Sequence, residues 1–139
     1  MLTAVDVDTI NREHRRSKIV MAVDDAPETL SMLKALVSAA GYSFMGARTG
    51  KECLDLVTRA VPRLILLDVR MPDMDGFETC RRLRALFTIK QVPIAFLTTT
   101  KTAEDVRNGL NVGGNDFIIK PFDAEKLLLR VQHWTARRV

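Results

Sequence analysis

Four short apolar runs in this chain each end in a polar residue, and a helix-like stretch follows each one. Asp24-Asp25 follows Ile19 to Val23, Asp68 follows Leu64 to Leu67, Thr98 follows Ile94 to Leu97, and Lys120 follows Phe117 to Ile119. Runs this short and this apolar suit strands covered on both faces, the condition of a parallel sheet flanked by helices. In an open parallel sheet all strand carboxyl ends lie on one edge, where ligands bind. Three carboxylates, a hydroxyl and an ammonium are therefore expected to gather in one pocket. That set suits a divalent cation together with a phosphoryl group.

Strands are expected over 18–23, 42–47, 64–68, 93–97 and 115–119, alternating with helices over 27–40, 50–60, 75–87, 102–112 and 123–136. Pro27 suits the first turn of a helix and Gly41 its C-terminal cap, with Leu30, Leu33, Val37 and Ala40 on one face between them. The second helix repeats the pattern with Cys53, Leu54, Val57 and Val61, and Pro62 ends it. The third is expected to bury Phe77, Cys80, Leu83 and either Leu86 or Phe87, and the fifth Leu127, Val131 and Trp134. The fourth is the weakest: Val106 and Leu110 are its main apolar anchors, and Gly109 costs about 1 kcal/mol relative to alanine. The alternation argues for an α/β fold, a doubly wound parallel sheet with right-handed crossovers.

The chain of 139 residues is one domain's worth, and its composition is that of an ordinary globular protein. No apolar run approaches the ~20 residues of a membrane span, and no signal-peptide pattern opens the chain; a cytoplasmic protein is the expectation. Residues 1–17 read as a polar N-terminal arm and 137–139 as a short tail. Cys53 and Cys80 lack metal-type spacing and read as buried free thiols. His14 and His133 lie away from the strand ends. The net charge of +4 invites a nucleic-acid reading, but the cations are dispersed without interleaved aromatics, so direct nucleic-acid contact is not expected.

The stretch Asp68-Val69-Arg70-Met71-Pro72-Asp73-Met74-Asp75-Gly76 resembles the phosphoacceptor strand end and following loop of the response regulator receiver domains. Asp24-Asp25 resembles that family's acidic pair, Leu97-Thr98 its switch-hydroxyl strand, and Lys120-Pro121-Phe122 its lysine-proline-phenylalanine motif. All four occur in order, each at a strand end, and the resemblance covers about residues 18 to 136. It implies a flavodoxin-like fold of five parallel strands in the order 2-1-3-4-5 with five helices.

The resemblance also implies a chemistry, and the residue types suit it. Phosphoryl transfer depends mostly on positioning and charge neutralisation. Asp68 is the expected phosphoacceptor, because a strand-end carboxylate can present one oxygen in line. Asp24, Asp25 and Asp68 are expected to hold Mg²⁺, which favours one or two carboxylates plus phosphate oxygens; the family adds the backbone carbonyl of Arg70. Lys120 would meet a second phosphoryl oxygen and Thr98 a third. A cis Lys120-Pro121 bond is implied, aiming the lysine inward. The implied relay moves Thr98 toward the phosphoryl group and an aromatic on the fifth strand into the vacated space. Phe117 stands there, where many relatives carry tyrosine. Arg70 and Thr100 would border the pocket mouth and tune the lifetime of the phosphoryl group. Asp73 and Asp75 read as loop and N-cap residues, and Gly76 as structural.

The resemblance implies a histidine kinase or histidine phosphotransferase as donor and a downstream protein as target. The output face would be the fourth helix, fifth strand and fifth helix, where Leu128, Leu129 and Trp134 either line a homodimer face or fill the core. No enzymatic turnover is expected beyond self-catalysed phosphorylation and dephosphorylation. A stand-alone receiver is the leading reading, a receiver fragment of a longer multidomain regulator the alternative; a receiver-like module read by a ligand such as a nucleotide is a third. The haloacid-dehalogenase phosphatases want an acid two positions after the nucleophile, where this chain has Arg70. Flavodoxins want a hydroxyl-rich phosphate loop after the first strand, which is missing.

Overall fold

The computed structural model describes residues 18–136; the expected arm at 1–17 and tail at 137–139 lie outside the described residues. Five strands form one parallel sheet: β1 (Ile19–Val23), β2 (Ser43–Ala47), β3 (Leu64–Asp68), β4 (Ile94–Thr98) and β5 (Asp116–Ile119). Their order is β2-β1-β3-β4-β5. The helices between them are α1 (Pro27–Ala39), α2 (Gly50–Leu56), α3 (Gly76–Arg84), α4 (Ala103–Asn111) and α5 (Ala124–Thr135). The doubly wound sheet and the strand order agree with the expectation.

Strand periodicity sorts the core into two layers. Val20, Ala22, Leu64, Leu66, Ala95, Leu97 and Ile118 face one side, where Leu33 and Val37 of α1 and Leu127 and Val131 of α5 cover them. Met21, Val23, Ile65, Leu67, Ile94, Phe96 and Phe117 face the other, under Cys53 of α2 and Cys80 and Leu83 of α3. β3 and β4 are buried at every position, which is why they read as continuous apolar runs. Burial drives the Cys53 thiol up to about 12, with the Glu52 charge adding to it. Burial likewise raises Cys80 to about 11, so both are inert thiols, as expected.

The helix ends obey local chemistry. Pro27 opens α1; beyond its end Gly41 takes φ +95°, where a side chain would be strained, and lets Tyr42 N–H return to the Val37 carbonyl. Thr49, Asp75, Thr102 and Asp123 cap α2, α3, α4 and α5, each accepting from a backbone N–H three residues on.

Three expectations about the helices need correction. α2 ends at Leu56, not near 60: Arg59 and Ala60 N–H bond to Leu56 in a turn, and Val61 is exposed. α3 ends at Arg84, and Phe87 sits in a 3₁₀ turn, 85% exposed, while Leu86 packs inward. On α4, Leu110 is 56% exposed and Gly109 is the buried residue. The inner face of α4 is set by Val106 and Gly109, one turn apart, and the rings of the sheet fill the space a helix side chain would take.

One cation holds the amino-terminal end of the β4 region. Arg84 donates to the carbonyls of Ile89 (2.7 Å), Val92 (2.7 Å) and Gly113 (2.9 Å) and to Asn115 Oδ1 (2.8 Å). Asn115 Oδ1 also accepts from Ile94 N–H. Arg84→Met is expected to cost about 2–4 kcal/mol, because several part-buried acceptors lose a charged donor. A urea midpoint equal to that of the native chain would show that the clamp contributes nothing.

Candidate functional site

The sheet order reverses between β1 and β3, whose partners lead away in opposite directions, and a crevice opens there at the carboxyl ends. Backbone pairing continues just past the strands and fixes the first residues beyond them. Asp24 N–H donates to Ala47 O at 3.0 Å, Val69 N–H to Leu97 O at 3.0 Å, and Lys120 N–H to Thr98 O at 2.8 Å. The residues held at this edge are therefore Asp24, Asp68, Thr98 and Lys120.

Asp24 is fully buried. Its Oδ1 accepts from Ala26 N–H at 2.9 Å, and its Oδ2 from Lys120 Nζ at 2.6 Å. Lys120 Nζ also reaches Asp68 Oδ1 at 3.3 Å. Asp25 points to the exposed side and does not cap α1, whose N-cap is Ala26 without a side-chain bond. Ligand oxygens of Asp24, Asp25 and Asp68 lie within 4.8 Å of one another, a spacing that can hold a metal ion. Two buried walls and one open one leave room for water ligands, which suits a small hard cation.

The electrostatics arise from crowding. Burial, and then the charge of Asp24, raise the Asp68 carboxyl to about 6; Lys120 and the Arg70 backbone N–H only partly oppose this. Burial alone would lower Lys120, but its bond to Asp24 and the charge of Asp68 outweigh burial and raise it. Lys120 is thus held as a cation between two carboxylates. The Lys120-Pro121 peptide is cis, as expected.

The loop after Asp68 is closed by Gly76. Its N–H donates to Val69 O at 2.8 Å. A Cβ there would overlap the Asp68 carbonyl oxygen and lie 2.9 Å from Val69 Cα, so only glycine lets α3 start this close to the acceptor strand. Asp75 caps α3 and Asp73 lies exposed in the loop, as expected. Arg70 and Thr100 are both exposed. Arg70 lines a cleft of about 440 Å³ beside the loop, with Met71, Phe77 and Asp105 of α4.

Thr98 stands at the end of β4, but its hydroxyl donates to the Thr100 carbonyl at 2.7 Å and bonds no carboxylate of the cluster. Phe117 is buried on the other layer, its ring 5.2 Å from Phe96. Two features were not legible as site features. Arg48, after β2, donates to the Asp25 carbonyl at 3.3 Å and pins the acidic loop from the side. Asp116, beside Phe117, takes Trp134 Nε1 at 2.8 Å and Arg130 Nη1 at 2.6 Å, joining β5 to α5. Burial opposes the Asp116 charge, yet these bonds hold its carboxyl below the usual range.

The sequence model of the response regulator receiver domain matches residues 20–132. The chain belongs to this family. It is 39% identical over 113 residues to the response regulator MprA of Mycobacterium leprae and 36% identical over 116 residues to the response regulator PleD of Caulobacter vibrioides. These alignments cover 81% and 84% of the chain but 49% of MprA and 26% of PleD, so the chain spans half or less of those relatives. Among solved structures, the chemotaxis protein CheY4 of Vibrio cholerae superposes with a TM-score of 0.81 at 36% identity, covering 83% of this chain and 96% of that one. The receiver domain of sensor histidine kinase PA1611 from Pseudomonas aeruginosa, solved with a magnesium ion coordinated in its active site cleft, gives a TM-score of 0.79 at 29% identity, covering 86% of this chain and 98% of that one. Among the described residues no helix is long and apolar enough to cross a membrane.

The raised carboxyl carries a stability consequence. Asp68 binds its proton more tightly in the folded chain, so that contribution is complete below about pH 4 and is lost as pH rises through about 6. At pH 7 without divalent cations, Asp68→Asn is expected to be more stable than the native chain by about 1–3 kcal/mol. The gap should close toward pH 4. A difference independent of pH, in urea melts at both values, would count against the crowding argument.

Proposed function

We propose that this receiver accepts a phosphoryl group on Asp68. The observation that carries the reading is the buried Asp68 carboxylate within reach of Lys120 and grouped with Asp24 and Asp25 at the reversal of strand order. In the transfer, an Asp68 carboxylate oxygen attacks phosphorus as the bond to the donor's histidine nitrogen breaks, and the donor ring, protonated on its other nitrogen, leaves as neutral imidazole. Asp24, Asp25 and Asp68, with the Arg70 carbonyl, would hold Mg²⁺. That ion supplies positive charge to the transferring oxygens.

The chain's own residues do the rest. Lys120 neutralises a phosphoryl oxygen with a charge already in place. The Thr98 hydroxyl leaves the Thr100 carbonyl and donates to another oxygen once the group is attached. Arg70 and Thr100 border the mouth and limit the approach of water to the phosphoryl group. The donor is a histidine kinase or histidine phosphotransferase, and self-catalysed hydrolysis resets the site. The signal leaves through the α4-β5-α5 face, where Phe117 acts by packing, since it has no hydroxyl for a partner to read. That face carries the exposed side chains of Leu110, Ile119 and Leu129, suited to a protein target.

Intact mass after incubation with a small phosphodonor and Mg²⁺ tests the acceptor. One Mg²⁺-dependent phosphoryl adduct is expected on the native chain and none on Asp68→Ala; an adduct retained by the variant would move the acceptor elsewhere. Asp25→Ala is expected to weaken Mg²⁺ binding at least tenfold, about 1.4 kcal/mol, by calorimetric titration. An unchanged isotherm would remove Asp25 from the ligand set. Lys120→Gln is expected to slow labelling at least tenfold while altering Mg²⁺ affinity in the same chain, and labelling at the native rate would leave the lysine without a role in transfer.

A further inference from the structure

Two rings of the sheet rest on bare backbone of α4 and the turn after it. A Cβ at Gly109 would overlap Phe117 Cζ and lie 3.0 Å from Phe96 Cε2. A Cβ at Gly114 would overlap Phe96 Cε2 and lie 3.0 Å from the Gly109 carbonyl oxygen. Gly114 N–H donates to that carbonyl at 2.8 Å, so the two glycines form one surface. Gly109 is also the only buried residue of α4. The helix meets the sheet chiefly through a position with no side chain.

The rings form a column. Phe117 lies 5.2 Å from Phe96, and Phe96 lies 5.1 Å edge-on from Phe77. Phe77 in turn lines the cleft with Arg70, just after Asp68. Packed rings between two backbone seats shift between discrete arrangements and do not deform smoothly. The place of the Phe117 ring and the docking of α4 are therefore one variable.

We propose that Gly109 is a positioning residue: its missing side chain is the seat that holds the Phe117 ring inward and sets how closely α4 lies on the sheet. The functional consequence rests on reading α4-β5-α5 as the output face. The steric part stands on its own, and the two can fail separately.

The test uses the full chain with Gly109→Ala, Phe117→Leu and the double variant. A helix glycine free of contacts gains stability on becoming alanine. Here Gly109→Ala is expected to lower Tm and to speed amide exchange in α4 at least tenfold, with α1 unchanged. Phe117→Leu in that background is expected to restore both, because leucine lacks the Cε2 and Cζ atoms that collide. A higher Tm with native α4 exchange, or additive effects in the double variant, would overturn the seat. Should Gly109→Ala fail to fold, Phe117→Leu alone decides: selectively faster α4 exchange is expected, and native exchange there overturns the proposal. Positioning is read from the rate of Asp68 labelling by a small phosphodonor. That rate should fall several-fold in Gly109→Ala and recover in the double variant, whereas a native rate would reduce the seat to a structural contact and refute positioning. If the native chain takes no label, the phosphoacceptor reading fails, while melting and exchange still judge the seat.

Discussion

The ammonium of Lys120 holds the site together. It touches Asp24 at 2.6 Å and Asp68 at 3.3 Å, so one side chain from the end of β5 joins the loop after β1 to the end of β3. Removing it would leave a fully buried carboxylate beside a second one, an arrangement that costs several kcal/mol unless protons enter. Asp68 already shows this pressure in its raised carboxyl. The crowding is a structural cost kept at a functional site, and it makes the pocket receptive to added positive charge. The parallel sheet makes this meeting possible, because residues at the ends of β1, β3 and β5 share an edge.

The opposite layer is arranged differently. α1 and α5 dock through ordinary aliphatic contacts, Leu33 and Val37 or Leu127 and Val131. α5 is pinned further by Trp134 and Arg130 on Asp116, and by Tyr42 Oη against Thr135 Oγ1 at 2.9 Å. α4 has no comparable anchors: Val106 is half-buried, Leu110 is exposed, and Gly109 meets the rings. An element with few apolar contacts sits at the low end of local stability. The helix proposed to carry the signal is thus the one the core holds least, while its neighbours in the output face are tied down.

The relatives differ in how much chain surrounds the shared domain. MprA and PleD extend well beyond the aligned region, whereas CheY4 is covered almost entirely by it. What the chain shares with all three is the receiver.

Much of this was legible in the amino-acid order. Buried parallel strands must be apolar along their whole length, so their ends are marked by the first polar residue, and those residues gather at the candidate site. Asp24, Asp25, Asp68, Thr98 and Lys120 are placed for that reason, and the strand order follows from the family resemblance. Tertiary structure decided the rest. Which carboxylate is buried and which is open, Asp24 against Asp25, depends on where the β1–α1 loop meets β2 and Lys120. That Leu110 faces solvent while Gly109 faces the core depends on rings contributed by β4 and β5, which helical periodicity within α4 cannot register. Arg48, Arg84 and Asp116 act across 23 to 31 residues or link β5 to α5. Local pattern fixes what each segment buries; only the assembled sheet determines what each polar group meets.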